Sequence, residues 1–233
     1  MTAGSRENGL DQVLLTVAKR PEPGRTKTRL HDGFAPDEAA EIYRCLLLDT
    51  FRLMAQVRGV HPVVAFTPDD ADDYFRALVP PHFGLLPQVG RDLGERLPNA
   101  LGHFLALPGV QRAVIMNSDG PTLPVGYLVD AFDALARCDV VLGPGSDGGY
   151  YLIGMSRLHR GLFENVTWST ALVMGETMAN ARRLGLSVHV LPTWYDVDVA
   201  DDLRRILADG PEAAPETYAR VAALRPEWGE KEG

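Results

Sequence analysis

Short apolar runs alternate along the chain with longer stretches whose apolar positions recur every three or four residues, the signatures of strands and amphipathic helices taken in turn. Val13 to Ala18 reads as a first strand, and Pro36 to Val57 as a helix with Pro36 in its first turn and Ile42, Leu46, Phe51 and Met54 along one stripe. Pro62 to Phe66 is a second strand, followed by a short acidic helix that starts at Thr67-Pro68-Asp69-Asp70 and ends near Leu78. Leu85 to Gln88 makes a third strand, which Pro87 confines to a strand end or a sheet edge because proline donates no ladder hydrogen bond. Helices are predicted over Leu93 to Leu105, Val125 to Ala136, Ala171 to Leu184 (capped by Ser169 or Thr170 and closed by Gly185) and Ala200 to Ala208. Further strands are predicted over Arg112 to Asn117, Val140 to Leu142, Tyr150 to Ile153 and Ser187 to Leu191. This alternation specifies an α/β protein, a three-layer α/β/α sandwich around a mostly parallel sheet.

The 233 residues can bury one substantial core, and no repeat or low-complexity linker divides them. Residues 1–11 are polar and expected to be flexible, 12–209 form the domain, and 210–233 form an extension with one short helix around Thr217 to Leu224. Lys and Arg total 23 against 31 Asp and Glu, for a net charge of −8, without a basic stripe of the kind that tracks nucleic acid. Two cysteines without paired spacing, and no apolar stretch long enough to span a bilayer, point to a soluble cytoplasmic protein that leaves membranes alone.

Against that acidic background, the eleven residues from Lys19 to Arg29 carry five cations on a loop shaped by Pro21, Pro23 and Gly24. The loop follows the first strand, at the sheet end where open α/β folds bind ligands. Pro21, Pro23 and Gly24 restrict the backbone so that its N–H groups can turn toward one point, while Lys19, Arg25, Lys27 and Arg29 can offer charge-assisted hydrogen bonds to phosphate. A solvated basic turn has the same composition. Thr26 stands where a Walker A loop needs glycine before its lysine, which excludes that motif. As an exposed loop cation Lys27 would add little to the core, so Lys27→Ala is expected to weaken nucleotide binding and leave the fold intact.

Acidic residues mark the ends of the later strands. Asp119 follows the most apolar strand on an Asp-Gly-Pro turn, a seat for a divalent ion whose other ligands are phosphate oxygens and water, or else an ordinary turn aspartate. Asp147 and the Asp196/Asp198 pair are the other rim carboxylates, and one of them would complete the metal site. These acids and the basic loop are expected to converge at one rim of the sheet. Asp92 and Glu95 form a capping box, and Arg96 beside them could meet a phosphate. Four glycines between Gly143 and Gly149 allow close backbone approach to a ligand, and Trp168 is a core residue or an acceptor-site wall. The six histidines lack metal spacing, and Ser146 misses a nucleophile elbow because Pro144 replaces its first glycine.

Taken in order, Lys19-x-Pro21-x-Pro23-Gly24-x-x-Lys27-Thr28-Arg29-Leu30, Asp92-Leu93-Gly94-Glu95-Arg96, Ser118-Asp119-x-Pro121-x-Leu123 and Gly143-Pro144-x-x-Asp147-Gly148-Gly149-Tyr150-Tyr151-Leu152-Ile153-Gly154 resemble the DUF2064 family, as do Trp168-Ser169-Thr170 and Asp196-Val197-Asp198. That family is similar to nucleotide-diphospho-sugar transferases of the GT-A fold, which are Rossmann-like, and more distantly to 2-phospholactate and molybdenum-cofactor guanylyltransferases. Gly120 departs from it where many relatives carry cysteine, and the Asp119 turn lacks the Asp-x-Asp of many GT-A glycosyltransferases. The resemblance implies a transferase, monomeric or homodimeric, that uses Mg²⁺ or Mn²⁺ at Asp119 and Asp198 and moves a sugar from a nucleotide sugar to a small-molecule acceptor. Transfer of a nucleotidyl group from an NTP to a phosphorylated small molecule is the alternative, and nucleotide binding without turnover a third. Under it Lys27, Asp119 and Asp147 are catalytic; Lys19, Gly24, Arg25, Thr28, Arg29 and Arg96 bind the nucleotide and its phosphates; Gly148, Gly149, Tyr150 and Trp168 meet the acceptor or sugar.

Overall fold

A computed structural model describes residues 11–228. All but Asp11 of the N-terminal segment expected to be flexible lies outside them. The chain forms strands β1 (Gln12–Lys19), β2 (His61–Thr67), β3 (Gly84–Pro87), β4 (Arg112–Met116), β5 (Val140–Pro144), β6 (Tyr150–Met155) and β7 (Val188–Val190). Its helices are α1 (Pro36–Met54), α2 (Asp72–Leu78), α3 (Leu93–Leu105), α4 (Val125–Ala134), α5 (Val173–Arg183), α6 (Ala200–Asp209) and α7 (Pro215–Leu224).

The strands make one sheet in the order β3-β2-β1-β4-β6-β5-β7. From β1 the chain winds outward through β2 and β3, then returns to place β4 on the other flank of β1, and all four run parallel. The reversal of winding between β1 and β4 opens a crevice at their carboxyl ends. The loop after Lys19 and the turn after Met116 therefore leave the sheet side by side. β6 is antiparallel to both β4 and β5, because only a short hairpin separates it from β5. The sheet is thus mixed, as expected, and β3 with its proline is an edge.

Period-two alternation in the central strands sends side chains to opposite faces. Leu14, Val64, Val114 and Val141 pack beneath α1, α4, α6 and α7, whereas Val13, Leu15, Ala113 and Ile115 pack against α3 and α5. The three-layer sandwich follows.

α5 begins at Val173, two residues after the start expected from a Ser169 or Thr170 cap. Ser169 takes a left-handed backbone (φ 63°), and the Thr170 hydroxyl donates to Thr167 O at 2.7 Å, closing a separate turn ahead of the helix. The Asp92 cap forms, accepting from the Glu95 N–H at 3.1 Å, but Glu95 reaches back to the N–H of Arg91, so the box closes one residue earlier than a reciprocal pair would.

The segment after residue 209 is bolted to the domain by Asp49, a buried carboxylate on α1. It accepts from the backbone N–H groups of Glu216 and Thr217 at 3.1 and 2.8 Å and from the Thr217 hydroxyl at 2.7 Å, capping α7 from a neighbouring helix. Asp49→Ala strands those donors in the interior, and we expect a loss of about 2–3 kcal/mol, read as a drop in melting temperature that Asp49→Asn recovers in part. Equal melting of Asp49→Ala and the parent would deny α7 this anchor.

Candidate functional site

Lys27 is the centre of the crevice. The loop before it folds on itself: Arg25 and Thr26 donate their N–H groups to Glu22 O, and Thr26 exchanges hydrogen bonds with Glu22 through its hydroxyl. Lys19 Nζ donates to Arg25 O at 3.0 Å and braces the turn. The compact turn delivers Lys27 inward with a left-handed backbone of φ 49°.

The side chain of Lys27 is only 8% exposed, so the expectation of an exposed loop cation is corrected. Its ammonium donates to Asp119 Oδ2 at 2.6 Å, to Asp198 Oδ1 at 2.8 Å and to the Val197 carbonyl at 2.5 Å. Burial works to lower the lysine pKa, and the two carboxylates outweigh it, so the group is held above its ordinary value and stays charged. Asp198 is drawn below the usual carboxylate range, burial being overcome by the Lys27 charge. Asp196 behaves oppositely: burial, and then the charge of Asp119, push its carboxyl up to about 8. Its Oδ1 is buried without a hydrogen-bond partner, beside Gly120.

The Asp119 turn is fixed from several directions. Thr16 on β1 donates its hydroxyl to Asn117 O at 3.0 Å, and Thr50 on α1 donates to Ser118 O at 3.2 Å. Tyr43, also on α1, places its hydroxyl 2.9 Å from Ser118 Oγ and accepts the N–H of Lys19 at 3.2 Å, so one phenol ties the basic loop to the acidic turn. The Val197 N–H donates to Asp119 O at 2.9 Å, which draws the Asp196–Asp198 segment alongside.

Two cavities meet at this cluster. The smaller, about 300 Å³, is basic and lined by Lys19, Arg25, Thr26, Thr28 and Tyr43. The larger, about 580 Å³, has apolar walls from Val17, Leu93, Leu97, Ile115, Tyr150 and Trp168, with Asp147 and Gly149 at its rim. Arg29, Asp119 and Asp198 line both. The basic loop and the rim acids therefore converge at one end of the sheet.

Three of the expected binding residues fall outside both cavities: Gly24, Gly148 and Arg96. Arg96 spends its Nε on Gly90 O at 2.9 Å and shapes the turn before α3. Gly148 is a packing residue, with a φ of +88° and an ideal Cβ that would fall 2.4 Å from Ala171 O. Asp147 is exposed and accepts the Gly149 N–H at 2.9 Å. Trp168 stacks on Phe163 with centroids 6.4 Å apart, and Gly94 leaves room for its indole, since a Cβ there would fall 2.5 Å from Nε1.

A family model described as an uncharacterized protein conserved in bacteria, DUF2064, matches residues 50–170. The chain belongs to that family. The DUF2064 match contains Asp119, Asp147 and Trp168 and stops short of the basic loop and Asp198. A Desulfovibrio desulfuricans G20 protein described as a candidate nucleotide-diphospho-sugar transferase matches over more of the chain, with 32% identity, a TM-score of 0.84, and coverage of 93% of this chain and 96% of its own. The 2-phospho-L-lactate guanylyltransferase of Methanothermobacter thermautotrophicus is 28% identical over 199 residues, 83% of this chain and 84% of that protein. A manganese complex of Rv0371c from Mycobacterium tuberculosis H37Rv shares the fold, at 18% identity and a TM-score of 0.52 over 85% of this chain and 98% of that one. The three-layer mixed-sheet architecture is thus that of the nucleotide-diphospho-sugar transferases.

Within this DUF2064 chain, Tyr43 and Thr50 are the site residues that motif reading passes over. A signal for them exists, because they are hydroxyl groups seven residues apart on one face of α1.

Proposed function

We propose that the protein is a nucleotide-dependent transferase that moves a sugar from a nucleotide sugar to a small acceptor. One observation carries this reading: the wall shared by a basic cavity and an apolar cavity consists of Arg29, Asp119 and Asp198. A diphosphate in the first and a sugar in the second would place the bond between them at that wall. The nucleotide-diphospho-sugar relative at 32% identity supports the same chemistry.

The carboxylates of Asp119 and Asp198 fit a divalent ion, because they already point at one cation, the Lys27 ammonium, from 2.6 and 2.8 Å. Among the described residues no group of three or more His, Cys, Asp or Glu forms a metal cage. Two carboxylates suffice when phosphate oxygens and water supply the remaining ligands, as for Mg²⁺ or Mn²⁺. Such an ion, when bound, neutralises the departing diphosphate.

The chain's own groups do the rest. Lys19, Arg25 and Arg29 hold the phosphates by charge-assisted bonds, with Thr28 beside them. Trp168 and Tyr150 orient the sugar against an apolar wall. Asp147 at the rim accepts the proton of the acceptor hydroxyl as its oxygen bonds to the anomeric carbon and the bond from that carbon to the diphosphate oxygen breaks. The protein works in a reducing cytoplasm, in keeping with its free thiols at Cys45 and Cys138.

A second reading is nucleotidyl transfer from an NTP, favoured by the guanylyltransferase at 28% identity. The larger cavity argues for the first: apart from Arg29 its charged lining is acidic, Asp119, Asp147 and Asp198, which suits an uncharged sugar better than a phosphorylated acceptor. Nucleotide sugars and NTPs incubated with Mg²⁺ or Mn²⁺ and cell-extract metabolites, followed by mass spectrometry, separate the two. Nucleoside diphosphate released with a glycosylated product is expected. Pyrophosphate with a nucleotidylated product would establish the second reading.

A further inference from the structure

An ammonium has three protons to donate, and Lys27 has given all three away, to Asp119, Asp198 and the Val197 carbonyl. In this arrangement it has none for a phosphate. It also occupies the point toward which both carboxylates converge, where a divalent ion would be held. The backbone of Lys27 lies in the left-handed region, φ 49°, which lysine seldom adopts, so the loop is held in a disfavoured conformation while the ammonium sits between the acids. Arg25 and Arg29, by contrast, remain 75% and 69% exposed.

We propose that Lys27 is an internal placeholder for the divalent ion: its ammonium closes the Asp119/Asp198 site to metal in the nucleotide-free protein and yields that place when a nucleotide arrives, turning to the phosphates. The inference rests on the nucleotide and metal reading above and adds an order of binding to it. The physical reason is charge balance. A metal entering alone must either crowd a second cation between the same carboxylates or expel the ammonium into a site without a counter-charge. A diphosphate removes both obstacles, since it gives the displaced ammonium an anionic partner and gives the metal its missing oxygens.

Mn²⁺ binding measured by electron paramagnetic resonance on the parent and on Lys27→Met, which keeps the stem and removes the charge, tests this without any turnover. In the absence of nucleotide the variant is expected to bind Mn²⁺ at least about tenfold more tightly than the parent. Mn²⁺ should also raise the melting temperature of the variant and leave that of the parent unchanged, which keeps the test decisive if the substitution destabilises the fold. In the parent, tight Mn²⁺ binding should appear only when one of GTP, CTP, UTP, ATP or their diphosphates is added. Equal nucleotide-free affinities, or a variant indifferent to Mn²⁺ while the parent binds it with nucleotide, would overturn the placeholder role alone. Absence of Mn²⁺ binding by the parent with every nucleotide, and by the variant without, would overturn the metal reading beneath it.

Discussion

Asp119→Asn is expected to lower turnover by about a thousandfold, on the order of 4 kcal/mol of transition-state stabilisation, while the ligand-free protein melts close to the parent. The asparagine keeps an oxygen for Lys27, which also retains Asp198 and Val197 O, so the cluster stays assembled. What disappears is the negative charge that a divalent ion requires. Thermal shift separates that loss from a general weakening. In the parent, nucleotide and Mn²⁺ together should stabilise by more than the sum of their separate effects, approaching about 2.7 kcal/mol when the ligand stands at a hundred times its dissociation constant. In Asp119→Asn the excess should vanish. Equal metal dependence in both proteins would take the ion away from Asp119 and toward Asp147 or Asp196.

Gly148→Ala should be the most damaging substitution in the hairpin that carries Asp147. Two independent costs coincide there: a φ of +88°, which side-chain-bearing residues rarely adopt, and a methyl that would fall 2.4 Å from the Ala171 carbonyl oxygen. Backbone on both sides cannot yield cheaply, because Met174 donates its N–H to Gly148 O at 3.0 Å and so locks the hairpin to the start of α5. We expect a loss of about 3 kcal/mol, which for a chain of this size is a melting shift of about 6–12 °C. Asp147 and the Trp168 wall should move apart with it. Native melting of Gly148→Ala would mean that the contact between hairpin and helix is loose in solution.

The elements that could be read from the chain are those whose signals are local. β1, β2 and β4 are buried on both faces and appear as short, predominantly apolar runs, and Pro87 announced an edge strand. The start of α5 was misplaced because Ser169 and Thr170 have the chemistry of caps, whereas their hydroxyl and backbone geometry serve a turn against Thr167. The site was legible as a set of strand ends, and the β1–β4 reversal brings those ends together. Its interior was not. Whether Lys27 points outward to solvent or inward to Asp119 and Asp198 depends on partners 92 and 171 residues away, and composition of the loop is identical in either case. The local packing of Gly148 and Arg96 was hidden for a related reason: glycine and arginine are as useful for shaping backbone as for meeting a ligand, and the contacts with Ala171 and the Gly90 carbonyl come from the fold.

A crystal structure of the protein with Mn²⁺ and a nucleoside diphosphate, chosen as whichever of GDP, UDP, CDP or ADP gives the largest thermal shift, is the most direct measurement. Manganese scatters anomalously, so its position is read without assumptions about the ligand. The expected result is an anomalous peak bound by Asp119 and Asp198, with the diphosphate over Lys19, Arg25 and Arg29 and the Lys27 ammonium turned from the carboxylates to a phosphate oxygen. A peak away from both aspartates, or a nucleotide bound outside the basic cavity, would contradict the assignment of this crevice as the transfer site.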